Sequence, residues 1–230
     1  MKLAIMQPYF FPYIGYFQLI KAVDKFIFYD DVHYIKNGWI NRNRILLNGK
    51  AHFFTVHQKD ASPNKLINKV EIIDNRSKLK KTLLSAYSRA PHFREVWPLM
   101  EDVLGFETNN ISELAEYSII KTYQYLGLDI KFELSSRHYS QTANLKKEDR
   151  LIAICNINDA QEYINPIGGL DLYDRETFIK ANINLSFLKS GQIIYRQFGI
   201  SFVGNLSIID VLMFNNRESI HLFLDTFDLI

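Results

Sequence analysis

One cysteine, Cys155, stands in 230 residues, so no disulfide can form within the chain. It falls in Leu151-Ile152-Ala153-Ile154-Cys155, an apolar run that reads as a buried helix face, and the thiol is assigned to the core. No stretch approaches the roughly eighteen uninterrupted apolar residues that a membrane span needs, and no insertion is expected. The apolar run after Met1 reaches Gln7-Pro8 too soon to be a secretory signal, so the chain is expected in the cytoplasm. No excess of one charge stands out: the balance is +2, too even to announce a nucleic-acid partner, DNA included. The basic stretch Arg76–Lys81 has the spacing of a solvated helix face. Six histidines are scattered without a His-x-x-x-His or Cys/His cluster, so no metal site is expected. Gly-x-Ser-x-Gly, the Walker loop and Gly-x-Gly-x-x-Gly are missing, which disfavours serine hydrolases, P-loop enzymes and ordinary dinucleotide binders.

What the chain has instead is apolar and aromatic mass, 47% hydrophobic with 17 Phe and 13 Tyr, which excludes disorder. Its length fits one domain over residues 1–230 with a helical insertion. Leu3-Ala4-Ile5-Met6 reads as a buried strand stopped by Gln7-Pro8. A loop follows, then a helix over 15–24 and a strand over 25–29. This is a βαβ unit, and it predicts an α/β fold with a Rossmann-like parallel sheet. Asn48-Gly49 between apolar runs predicts a hairpin. After a strand at 70–73, helices near 76–90, 93–104 and 110–127 form the candidate insertion, the last closed by Gly127. Strands at 130–134, 162–164 and 183–188 alternate with helices at 147–157 and 174–181, and helices near 206–215 and 217–226 end the chain.

Ligands of open parallel sheets bind beyond the carboxyl ends of the strands. The loop Gln7-Pro8-Tyr9-Phe10-Phe11-Pro12-Tyr13-Ile14-Gly15-Tyr16 lies at such an end. Its prolines stiffen it, Gly15 permits close approach, and the helix start suits a phosphate or carboxylate. Packing alone would also explain its aromatic residues. The second constellation runs from Tyr29-Asp30-Asp31 through Arg44. Asp30, Asp31 or His33 could move a proton or, for the carboxylates, hold magnesium. Lys36, Arg42 and Arg44 could hold phosphate, Trp39 offers a stacking face, and Asn41 and Asn43 add amides. Mutual pairing would explain any one of these residues; as a group they favour a site. Gln7, Asp30 and Asn43 are expected to line one pocket. A third group joins Ser135-Ser136-Arg137 to Arg150 at a helix start, competent for a nucleotide phosphate. Asn165-Pro166-Ile167-Gly168-Gly169 is a weaker signal, as fit for an ordinary turn as for a ligand.

These motifs resemble the WbqC-like family, through Met6–Tyr16, Tyr29–Val32, Asn37–Asn43, Asp149-Arg150-Leu151-Ile152 and Gly204-Asn205-Leu206-Ser207-Ile208-Ile209-Asp210. The resemblance implies a place in bacterial surface-polysaccharide (O-antigen) biosynthesis and transfer of glycine or a similar small acid to the amino group of a nucleotide-linked amino sugar. On that reading Asp30 or Asp31 receives the amine proton, and His33 or Tyr13 takes the role if the aspartates are structural. Gln7, Tyr9, Tyr13, Gly15, Tyr16, Lys36, Trp39, Asn41, Arg42, Asn43, Arg44, Ser136 and Arg150 bind substrate. ATP with magnesium would serve as activating cosubstrates, or the acyl donor would arrive as a thioester or a charged tRNA. Tyr13-Ile14-Gly15-Tyr16 also stands where HIGH-type nucleotidyltransferases carry His-x-Gly-His, which keeps nucleotidyl transfer to a sugar or small acid as one alternative. A non-catalytic nucleotide-sugar-binding scaffold is another. The aromatic content is compatible with a homodimer.

Overall fold

In the first strand, Leu3, Ala4 and Ile5 alternate across a sheet whose two faces are both covered, so neither face can be polar. The computed structural model describes residues 1–230. β1 (Lys2–Met6), α1 (Ile14–Lys21) and β2 (Lys25–Phe28) form the expected βαβ unit, with Ala4 opposite Phe26 and Ile5 opposite Ile27 in parallel register. The chain then leaves the sheet for β3 (Arg42–Leu47) and β4 (Lys50–Thr55), which form the predicted hairpin. Its turn has positive φ at both Asn48 (52°) and Gly49 (72°), the geometry that makes Asn-Gly a hairpin signal. β5 (His57–Lys59) pairs with β6 (Glu71–Ile73) in a second small ladder.

Helices α2 (Arg76–Tyr87), α3 (Phe93–Gly105) and α4 (Ile111–Tyr125) occupy the region read as an insertion. They share the sheet's core: Leu83, Met100, Ile119 and Tyr123 join Phe26 and Phe28 in one continuous cluster. α4 also closes the crossover from β2 to β7 (Lys131–Leu134), the next parallel strand. The short α5 (Ser135–His138) and α6 (Lys147–Ile157) lead to β8 (Glu162–Pro166), which returns to pair with β1 on its other side. α7 (Arg175–Lys180), β9 (Asn184–Ser190), α8 (Ile208–Phe214) and α9 (Arg217–Leu224) follow. β10 (Phe227–Leu229) closes the sheet antiparallel to β9, a strand beyond the last element expected from the sequence, the helix near 217–226. Three residues carry too little periodicity to reveal an edge strand whose partner lies some forty positions back.

The six strands lie in the order β10-β9-β8-β1-β2-β7. Ala4, Phe26, Ile164 and Leu188 face α1, α4, α8 and α9. Leu3, Ile27, Tyr163 and Phe187 face α6 and α7, where Cys155 is fully buried and its thiol is pushed up to about 12 by that burial. From β1 the chain first builds outward through β2 to β7, then crosses back to build β8 and β9 on the opposite side. The carboxyl ends of β1 and β8 therefore form the topological switch point, where the loops diverge and leave a crevice. No helix is long and apolar enough to cross a membrane.

Candidate functional site

The loop after β1 is fixed before any ligand arrives. Phe11 holds a left-handed backbone (φ 42°), which a bulky residue adopts only when its surroundings over-determine it. Three side chains do so. The Phe11 N–H donates to Ser118 Oγ of α4 at 3.0 Å, and the Phe11 carbonyl accepts from Asn43 Nδ2 at 2.9 Å and Ser207 Oγ at 2.7 Å. Asn43 also caps Arg44 N through Oδ1 at 2.8 Å, so its amide is a clasp between loop and hairpin. Gly15 serves the loop rather than a ligand: a Cβ there would lie 2.3 Å from Cε2 of Tyr13, whose ring covers the helix start. Tyr16 is buried, and its hydroxyl donates to the Gln7 carbonyl at 2.8 Å, so it is not free for phosphate.

The switch-point crevice, about 390 Å³, lies between this loop and the end of β8. Gln7, Tyr9, Tyr29, Asn165 and Tyr173 give it polar atoms, Met6 and Leu172 give it apolar walls, and no charged side chain lines it. The Gln7 carboxamide opens into the crevice, and that of Asn165 bonds the Tyr173 hydroxyl there. Asn165 folds back over Gly169, where a Cβ would stand 2.0 Å from its Nδ2, so the glycine is what admits the amide to the crevice. Burial first, then the neighbouring Tyr13 and Tyr173, push the Tyr9 phenol up to about 12, and burial likewise raises Tyr173. Both therefore remain hydrogen-bond donors at neutral pH.

A second depression of about 390 Å³ adjoins the first across Tyr9, lined by Tyr13, Trp39, Asn43, Arg44 and Asn205. Arg44 donates from Nη2 to the Asn205 carbonyl at 3.0 Å and keeps an Nε without an acceptor. The two depressions form one groove along the loop, with a neutral end and a cationic end.

The aspartates lie elsewhere. Asp30, 3% exposed, accepts from Ser136 N at 2.9 Å, Ser136 Oγ at 2.5 Å, Ser135 Oγ at 3.0 Å and Asn68 Nδ2 at 3.0 Å. Asp31 pairs with Arg150 Nη2 at 2.6 Å, and that guanidinium lies over the Tyr29 ring at 4.8 Å. Every one of these contacts ties β2 to α5, α6 or the turn at Ile67–Lys69. Asp30 opens instead onto a separate hollow of about 160 Å³ beside Ser136 and Glu116. Burial, then the charges of Asp30 and Glu113, raise Glu116 to about 7 against the bond from Ser112.

Of the single pocket expected over Gln7, Asp30 and Asn43, Gln7 and Asn43 share the groove on either side of Tyr9, while Asp30 faces a separate hollow beyond Tyr29 and the Asp31–Arg150 pair. Gln7, Tyr9, Tyr13, Trp39 and Arg44 line the groove. Asn41, buried, is committed to Tyr34 Oη (3.0 Å) and the Val56 carbonyl (2.8 Å). Ser136 and Arg150 are committed to the aspartates, and Arg42 reaches the Gly38 carbonyl at 3.0 Å. His33 and Lys36 are exposed outside the crevice, His33 bridging to Leu66. Asn165, in the sequence only a weak signal, and Asn205, in the sequence only part of a family motif, line the groove together with Tyr173, which no motif contains. For Asn165 the signal was Asn-Pro at a strand end followed by Gly-Gly.

Comparison with known proteins agrees with the motifs that this geometry now explains. The chain is 31% identical over 216 residues to the uncharacterized protein Rv1507c of Mycobacterium tuberculosis, covering 92% of each. No solved structure matches it. The model of the WbqC-like protein family matches residues 7–222, from the crevice glutamine into the last helix, and the chain belongs to that family.

Proposed function

We propose that the protein acylates the amino group of a nucleotide-linked amino sugar, with the sugar in the switch-point crevice and its phosphates toward Arg44. The observation that carries this reading is the lining of the crevice: two carboxamides, protonated phenols, aromatic rings and no charge. Neutral donors and acceptors match sugar hydroxyls, and aromatic rings match a pyranose face. The same lining addresses the chemistry. An ammonium moved into an uncharged, partly apolar site loses solvation, so its pKa falls and the free amine is favoured without a protein carboxylate. The nitrogen then forms a bond to the activated carbonyl carbon, the bond to the activating group breaks, and the amine proton leaves with that group or to solvent. Asp30 and Asp31, fully engaged, act as scaffold in this scheme.

The test is mass spectrometry of the protein incubated with a nucleotide-linked 3-amino or 4-amino sugar and glycine in activated form. The glycyl amide is expected, and its absence with every donor class would remove the reading. A second reading, non-catalytic binding of the same nucleotide sugar, is favoured by one observation: no free base lines the crevice. Calorimetric binding without product would support it. Nucleotidyl transfer fits less well, since Tyr16 is spent on the Gln7 carbonyl; pyrophosphate release from ATP or CTP would restore it.

A further inference from the structure

Between Val32 and Lys59 the sequence carries five Lys or Arg, three His and no Asp or Glu, although the chain as a whole is balanced at +2. The fold places this stretch on the β3–β4 hairpin and the strand-free segment before it. There the Arg42 guanidinium lies 4.7 Å from the Phe53 ring centre, Phe53 lies 6.1 Å from Trp39, and Arg44 lies 5.7 Å from Trp39. Trp39 is 40% and Phe53 47% exposed, so each ring leaves a large apolar area open to solvent. Both guanidinium groups are held by backbone carbonyls and neither meets a carboxylate; the segment's one ion pair is Lys59 with Glu71. Past Phe53 a further depression of about 210 Å³ is lined by His52, His57, Asn75 and Lys78, again with no acid.

We propose that this hairpin docks the single-stranded end of an RNA that brings the acyl group to the groove as its terminal ester. Uncompensated cations in a row match a polyphosphate backbone, and exposed rings beside them match unstacked bases, which a duplex does not offer. The row runs from Arg44 at the groove rim across Phe53 to Lys78 on α2, more cationic positions than the two phosphates of a nucleotide-linked sugar can engage. The identity of the cargo rests on the acyl-transfer reading; the docking itself does not. In the transfer, the sugar nitrogen forms a bond to the ester carbonyl carbon, the ester carbon–oxygen bond breaks, and the ribose hydroxyl leaves with the proton lost by the amine.

Fluorescence anisotropy with uncharged bulk tRNA and with a labelled single-stranded oligoribonucleotide tests the docking. Both are expected to bind, with affinity falling with salt at a logarithmic slope of roughly −0.7 per phosphate neutralised. Phe53→Ala and Arg42→Ala should each weaken binding about tenfold, as loss of a stacking or phosphate contact does. Phe53→Trp should retain binding, and Lys78→Glu should weaken it. Calorimetric binding of the nucleotide sugar should be unchanged in all four, since none of these residues lines the groove. Circular dichroism and denaturant midpoints check their folding. No RNA binding, RNA binding indifferent to these variants, or binding to phosphatidylglycerol vesicles in its place would each overturn the proposal. RNA binding through the hairpin with no amide product under any condition would leave the docking standing and remove the transfer reading.

Discussion

Tyr29 separates two polar regions that use their side chains in opposite ways. On one side, Asp30, Asp31, Ser135, Ser136 and Arg150 bond to one another and tie the strand end to α5 and α6. On the other, Gln7 and Asn165 are modest neutral amides that meet an open crevice. Charged residues at a strand end are thus not by themselves a ligand site. What distinguishes a site is polar capacity left over after the fold has taken its share.

The comparison breaks most sharply at the ion pair. Arg150→Ala strands the Asp31 carboxylate at a place only partly reached by water, and a loss of about 3–5 kcal/mol is expected in the denaturant midpoint. A change within experimental error would mean that the pair is not structural. Gly15→Ala, on the loop between the two depressions, forces the Tyr13 ring from its place. About 1–3 kcal/mol of destabilisation is expected from overpacking, with weakened nucleotide-sugar binding beside it. Normal stability and binding in that variant would show that the Tyr13 ring can move freely.

A smaller effect concerns Glu116, beside Asp30. Burial first, then the Asp30 charge, raise its carboxyl from 4.5 to about 7. Between those values the folded protein binds more protons than the unfolded chain, so this group's contribution to stability falls as pH rises from 4.5 to 7. Glu116→Gln should flatten that slope in urea titrations across the same window. An unchanged slope would locate the titration in another group.

Much of the framework was legible in the chain. The β1–α1–β2 unit, the Asn48-Gly49 turn and the buried Cys155 follow from local periodicity and turn chemistry, which act over a few residues. The site was legible as residue types and less so as roles. Asp30 finds Ser136 across 106 positions and Asp31 finds Arg150 across 119, and no local pattern announces a partner so distant. Asn165 shares a crevice with Gln7 because β8 pairs with β1, and Gly169 reads as a turn residue until the Asn165 amide is seen folded against it. Tyr16 was read as a phosphate donor because a hydroxyl at a helix start is competent for one. Its burial against the Gln7 carbonyl decides otherwise.

The division between scaffold and site comes down to one measurement: calorimetric titration of a nucleotide-linked amino sugar into the wild type, Asn165→Ala and Asp30→Asn, with the folded fraction of each fixed by its denaturation curve. Asn165→Ala should lose about 1 kcal/mol of stability, as a side chain with one hydrogen bond, to Tyr173, does, and bind about tenfold more weakly, near the upper range of one lost hydrogen bond. Asp30→Asn should lose about 1–3 kcal/mol of stability while its folded molecules bind as the wild type does. The reverse pattern, a stable Asp30→Asn that no longer binds beside an Asn165→Ala that binds normally, would contradict the assignment and move the site to the aspartates.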